Sequence, residues 1–207
     1  MSTALSGSMS EKALLAAIER GDEVEVEKLL AQGVDPNCQT EDGWPALFLA
    51  IDEGRPGVVR SLLDHGVDSN SQMKGDPALL VAAFRGHPAI AQLLVERGAN
   101  VNVRGSEGDM PLKVAAEQGN HEMVRLLLEA GADPRSVGGI SGMTALGAAA
   151  ESGHAEVVQL LLEKGGDVHQ RDAYYETALQ GVLLKNAHAP DERLENVIRI
   201  LRQAGAK

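Results

Sequence analysis

The apolar residues of this chain recur at helical spacing, in short bursts closed by glycine. In HEMVRLLLEAG (121–131) and AEVVQLLLEKG (155–165), apolar side chains return every three or four positions around a paired leucine. That spacing lays one apolar stripe along an amphipathic helix. The stretches before them, PLKVAAEQG (111–119) and ALGAAAESG (145–153), are shorter and alanine-rich, so a second helix with small side chains can pack very close to its neighbours. After each second glycine come polar segments such as GVDPNC, GANVNV and GADPRS. Glycine there can take a positive φ and Asp or Asn can bond nearby backbone, which predicts extended arms or hairpins between helix pairs.

Laid over itself, the chain shows six copies of this unit, with the leucine of the first helical turn at Leu14, Leu47, Leu79, Leu112, Leu146 and Leu179. The steps are 33, 32, 33, 34 and 33 residues. Gly21, Gly54, Gly86, Gly119 and Gly153 follow the same beat, and Gly33, Gly66, Gly98, Gly131 and Gly165 repeat it about twelve residues later. Two glycines per period predict two helix ends per period.

With these features, and most fully in GMTALGAAAESGHAEVVQLLLEKGGDV (142–168), the chain resembles the ankyrin-repeat family, whose units carry a Thr-Pro-Leu-His-x-Ala signature. The resemblance covers residues 11 to 207 and implies an all-α fold. It is a solenoid of six stacked helix-turn-helix repeats with hairpin or extended arms, the terminal repeats acting as caps. The repeats fall at about 11–40, 41–72, 73–104, 105–137, 138–171 and 172–207 of one domain, after a flexible tail at 1–10. The polar helices DEVEVEKLLAQ and DERLENVIRILRQ suit the water-facing ends.

The copies depart from the signature. Thr survives at Thr144 and Thr177, Pro replaces it at Pro45 and Pro77, and the His position holds Leu15, Phe48, Leu80, Lys113, Gly147 and Gln180. The Thr-to-His capping network is thus weakened, while proline is tolerated in a first helical turn. In the last copy Ala178 to Gly205 spans 27 residues where Ala145 to Gly165 spans 20. The seven extra residues fall around KNAHAPDERLEN (185–196) and predict a lengthened turn between the last two helices.

Nineteen Lys and Arg against thirty Asp and Glu give a net charge of −11. Such a surface repels nucleic acid and anionic lipid and favours a basic partner. No apolar run approaches a membrane span, and MSTALSGSMS lacks both a cationic start and a signal-length apolar stretch. A lone Cys38 can form no internal disulfide, which suits the cytoplasm. A monomer is expected.

Catalytic, cofactor and metal readings find little support. HEMVR (121–125) begins like the HExxH zinc signature, but Arg125 takes the second ligand position. GGISGMTALG (138–147) lacks the GK[ST] ending of a phosphate loop. His87 and His154 follow the interhelix glycine as turn residues, and His65, His169 and His188 stand alone. An open stacked array also offers few pockets in which paired carboxylates could take on different roles.

In ankyrin-like arrays the arms and the exposed side of the first helices line a concave binding surface. Carried over by position, that implies Glu41, Asp42, Trp44, Asp52 and Glu53, then Met73, Lys74, Asp76, Phe84 and Arg85. An acidic middle follows: Ser106, Glu107, Asp109, Glu117 and Gln118, then Ile140, Ser141, Met143, Glu151 and Ser152. Tyr174, Tyr175, Glu176, Leu184 and Lys185 complete the set. Four of the five aromatics thus fall on contact positions, with Trp44 displayed on its arm and only Phe48 facing inward. Rings and methionines anchor interface centres, and carboxylates steer a basic partner in. These positions point to a non-catalytic protein-binding scaffold, with a stoichiometric inhibitor or immunity-type protein that blocks a basic enzyme such as a nuclease as the alternative.

Overall fold

The computed structural model describes residues 9–174 and 176–207; residues 1–8 of the expected tail, and Tyr175, lie outside the described residues. The chain divides into two compact units, up to Ala99 and from Asn100 onward.

Unit 1 contains α1 (Met9–Arg20), α2 (Glu23–Ala31), α3 (Ala46–Asp52), α4 (Pro56–Asp64), α5 (Ala78–Arg85) and α6 (Pro88–Glu96). Each consecutive pair packs as an antiparallel hairpin of helices. The first helices α1, α3 and α5 touch in one layer and the second helices α2, α4 and α6 in another. Strands β1 (Gln72–Met73) and β2 (Asp76–Pro77) form a small hairpin with Gln72 opposite Pro77 and Met73 opposite Asp76. An earlier arm closes through a bridge between Gln39 and Pro45.

Unit 2 repeats the plan with α7 (Pro111–Glu117), α8 (His121–Glu129), α9 (Ala145–Glu151), α10 (Ala155–Glu163), α11 (Ala178–His188) and α12 (Glu192–Gln203). Its layers are α7, α9, α11 and α8, α10, α12. β3 (Val137–Gly138) pairs with β4 (Met143–Thr144), and Arg171 bridges Thr177 in the last arm.

The sequence features explain these elements. All ten glycines of the two beats have positive φ. At Gly66, for example, φ is 90°, and the N–H groups of Gly66 and Val67 return to the carbonyls of Leu63 and Leu62, which ends α4. Asp35, Asp68, Asn100, Asp133 and Asp167 each accept from the backbone N–H two residues on, which fixes the turns after α2, α4, α6, α8 and α10. Side chains then tie one repeat to the next: the Asn70 amide donates to Gly98 O at 3.1 Å, and the Asn102 amide to Gly131 O at 3.2 Å.

The capping network is uneven, as the departures from the signature imply. Pro45 and Pro77 occupy N-cap positions without a side-chain cap, whereas Thr144 accepts from Gly147 N and Thr177 forms a capping box with Gln180. His154 does act as a turn residue: its Nε2 lies 3.0 Å from Glu117 O, and its ring crosses Gly119 so closely that a Cβ there would meet it at 2.5 Å. The core is aliphatic and small, with Leu62, Val124, Leu127, Ala149 and Leu161 all fully buried.

One expectation fails. Between α11 and α12 the connection is three residues, 189–191, the same length as the 152–154 connection between α9 and α10. The seven extra residues lengthen the helices instead: α11 has 11 residues against 7 in α9, and α12 has 12 against 9 in α10. Residues 185–188 contain no glycine or proline to stop α11, and Asp191 starts α12 by accepting from Arg193 N at 2.8 Å.

Candidate functional site

The arms are built as tight loops. In arm 39–45, Thr40 N donates to Trp44 O at 2.9 Å and Trp44 N donates to Thr40 Oγ1 at 3.0 Å. This loop leaves Glu41, Asp42 and Gly43 exposed at its tip and draws Trp44 to its closing position, where the residue is half-buried. The indole expected to be displayed on this arm is thus only partly exposed. In arm 72–77 the turn residue Lys74 takes φ 53° and is exposed, with Met73 and Asp76 half-buried.

In unit 2, Glu107 is exposed and Asp109 half-buried on the first arm, Met143 is half-buried on the second, and Tyr174 is 69% exposed on the third. Ile140 at the second tip is 85% exposed. Backbone bonds join these tips: Gly139 N donates to Gly108 O and Ala173 N to Ser141 O, each at 2.9 Å. Asp172, absent from the expected set, organises the third tip by accepting from Tyr174 N and Glu176 N.

The later turns of the first helices α3, α5, α7, α9 and α11 supply the second row. Five residues after its register leucine stand Asp52 and Phe84 in unit 1, and Glu117, Glu151 and Leu184 in unit 2. Phe84 is 45% exposed, and Phe48 is fully buried, as its inward placement requires. Glu53 and Arg85 are exposed beside them.

Several of these charges are already paired within the fold. Asp52 forms an ion pair with Arg85, and Glu41 with Lys12 at 3.0 Å. Lys113 bridges Glu117 at 2.8 Å and Asp109 at 3.2 Å. Burial alone would lower the Lys113 pKa, but its bonds to the two carboxylates outweigh burial and raise it. Lys113 is absent from the expected set; Lys113 and Glu117, four residues apart on α7, signal one half of its bridge, whereas Asp109 reaches it from the arm before the helix.

Glu151 differs. Burial is the main cause that raises its carboxyl pKa; Lys185 opposes the shift, and Glu176, Asp172 and Glu117 reinforce it. Cys38 is inert by the same physics, being 6% exposed and pushed up to about 11, first by burial and then by Glu11 and Asp35.

Among the described residues no group of three or more His, Cys, Asp or Glu side chains is placed to hold a metal ion. One hollow of about 480 Å³ lies between α1 and the first arm, lined by Glu11, Lys12, Leu15 and residues 39–41 and 43. No described helix is long and apolar enough to cross a membrane.

The fold matches known proteins over nearly its whole length. The ankyrin repeat domain of Bcl-3, a member of the IkappaB protein family, is 27% identical with a TM-score of 0.80, covering 94% of this chain and 86% of that one. An ankyrin repeat domain from Acinetobacter baumannii AYE is 27% identical with a TM-score of 0.83, covering 95% of this chain and 100% of that one. No curated protein matches significantly. Ankyrin repeats generally mediate protein–protein interaction and are typically non-catalytic. The family model for ankyrin repeats matches residues 14–105 and 98–172, and the chain belongs to the ankyrin-repeat family.

Proposed function

We propose that this chain is a non-catalytic, monomeric cytoplasmic scaffold that holds one basic protein partner on the face lined by its arms and first helices. The observation that carries this reading is the shared placement of exposed rings and carboxylates. In unit 1 Phe84 is exposed among arm and first-helix positions that also present Glu41, Asp42 and Glu53, while Phe48 is buried, and in unit 2 Tyr174 is exposed among those that present Glu107. A buried aromatic anchor contributes roughly 2–4 kcal/mol at an interface, whereas an exposed charge pair is worth about 0–1 kcal/mol. Rings then set affinity, and carboxylates set the approach and the sign of the partner.

The test is capture of partners by the full chain and by two variants of equal charge change. One carries Glu53→Lys, Glu107→Lys, Phe84→Ala and Tyr174→Ala; the other carries Glu122→Lys and Glu156→Lys on second helices. The first is expected to lose basic partners that the second keeps, and retention by both would refute the reading. If the captured partner is an enzyme, its activity at one-to-one stoichiometry separates an adaptor, which leaves it active, from an inhibitor, which abolishes it.

A further inference from the structure

Exposed apolar side chains gather in the last two repeats of unit 2. Ile140 is 85%, Tyr174 69%, Leu184 54% and Leu183 37% exposed. Ile140 and Tyr174 occupy neighbouring arm tips joined by the Ala173 N to Ser141 O bond of 2.9 Å. The leucines belong to the lengthened helix. α9 ends at Glu151, five residues after its register leucine, whereas α11 runs to His188, nine after Leu179. Gln180, Leu183, Leu184 and Ala187 are all exposed and recur at helical spacing, so the extra turn extends an uncovered stripe.

An acidic notch lies in the same two repeats. The Glu151 carboxylate leans over Gly181, where a Cβ would collide with it, so it sits one helical turn from Leu184 and Lys185. Glu151, Asp172 and Glu176 line one narrow cleft together with Met143, Thr144 and Gln170. Lys185 is the one cation among the groups that act on Glu151, against Glu176, Asp172 and Glu117. At the corresponding positions of unit 1, Asp52 is neutralised directly by Arg85. The notch therefore retains negative charge that an incoming cation can compensate.

We propose that the docking site is this C-terminal patch, Ile140, Tyr174 and Leu184 around the Glu151, Asp172 and Glu176 notch, and that its occupant is a basic protein segment with a bulky apolar residue next to a Lys or Arg. This rests on the scaffold reading above and narrows it to one unit and one chemistry. The apolar residue packs on the exposed apolar side chains, and the cation pairs with the notch carboxylates from its mouth, the exposed Tyr174 ring of the same arm being a further group that attracts a cation. Charge complementarity selects this occupant. A second copy of the chain carries the same net charge of −11, and nucleic acid or an anionic membrane brings phosphates to carboxylates.

The test is a titration of the isotope-labelled full chain with three short synthetic peptides of alternating Lys-Leu, Lys-Ser and Glu-Leu sequence. The Lys-Leu peptide is expected to bind at least about tenfold more tightly than Lys-Ser, and to shift amides at 139–144, 172–176 and 180–187. The double variant Tyr174→Ala, Leu184→Ser should weaken it about tenfold or more, Tyr174→Phe should preserve binding, and Val24→Ala, at an exposed apolar position of α2, should change it by less than about twofold. Shifts centred on 41–53 and 73–85 overturn the patch and leave the scaffold reading standing. Equal binding of Lys-Ser overturns the apolar anchor. Preference for Glu-Leu, or no binding of Lys-Leu, overturns the patch, and preference for Glu-Leu overturns the basic-partner reading with it.

Discussion

Asp52 in unit 1 and Glu151 in unit 2 occupy the same position of the repeat, five residues after the register leucine, and each is followed one repeat later by a cation, Arg85 or Lys185. Asp52 and Arg85 close into an ion pair. Glu151 lies partly buried among other carboxylates, which with burial outweigh the attraction of Lys185 and raise its pKa. The same template thus uses its charge internally at one place and leaves it uncompensated at another. Repeat position alone does not say which carboxylates remain available to a partner; the neighbouring arm decides it.

The largest expected effects concern the scaffold that holds both positions. Leu62 in unit 1 and Leu161 in unit 2 are fully buried, and truncating either to alanine should cost about 2–5 kcal/mol, read from urea unfolding. A cost well below that range in one unit would show that its layers repack around the loss and would break the shared template.

Caps distinguish the units next. Thr177→Ala removes a capping box and should destabilise by about 1 kcal/mol. Pro77→Thr in unit 1 exchanges a rigid ring for a cap and should move stability by less than about 0.5 kcal/mol. Thermal melts of the two variants check the contrast.

The carboxylates themselves should respond with opposite signs. Asp52→Asn loses the pair with Arg85 and should destabilise by up to about 1 kcal/mol. Glu151→Gln should stabilise at neutral pH. Because the Glu151 pKa is raised above its ordinary value of 4.5, the folded chain holds that proton more readily than the unfolded chain. The stabilising contribution is fully present below about pH 4.5 and is lost as pH rises through the folded-state value. The gain from Glu151→Gln should therefore shrink as the pH falls through the raised folded-state value and be gone below about pH 4.5, and melting curves across pH measure this directly.

The smallest effect tests a single turn. Lys74 is the one non-glycine residue with positive φ among the described residues, and it precedes Gly75 in a two-residue hairpin turn. Asn-Gly suits such a turn better, so Lys74→Asn should stabilise by about 0.5 kcal/mol.

Much of the fold was legible because the glycines and leucines keep one beat, and the structure turns each glycine of that beat into a helix end. The extra residues near 185–196 were legible as a number but not as helix, because length does not say whether a segment extends its flanking helices or opens a loop. Trp44 was legible as an arm residue, yet its half-burial follows from the Thr40 bonds that set the depth of the loop. Among the carboxylates, the Lys113 to Glu117 bridge could be seen from spacing along α7, whereas Asp109 meets Lys113 from the preceding arm. The Asp52 to Arg85 pair joins residues 33 positions apart and required the packing of α3 on α5.

The central claim is which face meets the partner. Hydrogen exchange of the full chain with and without a captured basic partner tests it most directly. Slowed exchange is expected in the arms at 39–45, 72–77, 105–110, 137–144 and 171–177 and in the later turns of the first helices, concentrated in unit 2. Slowed exchange confined to the second helices α2, α4, α6, α8, α10 and α12 would contradict it.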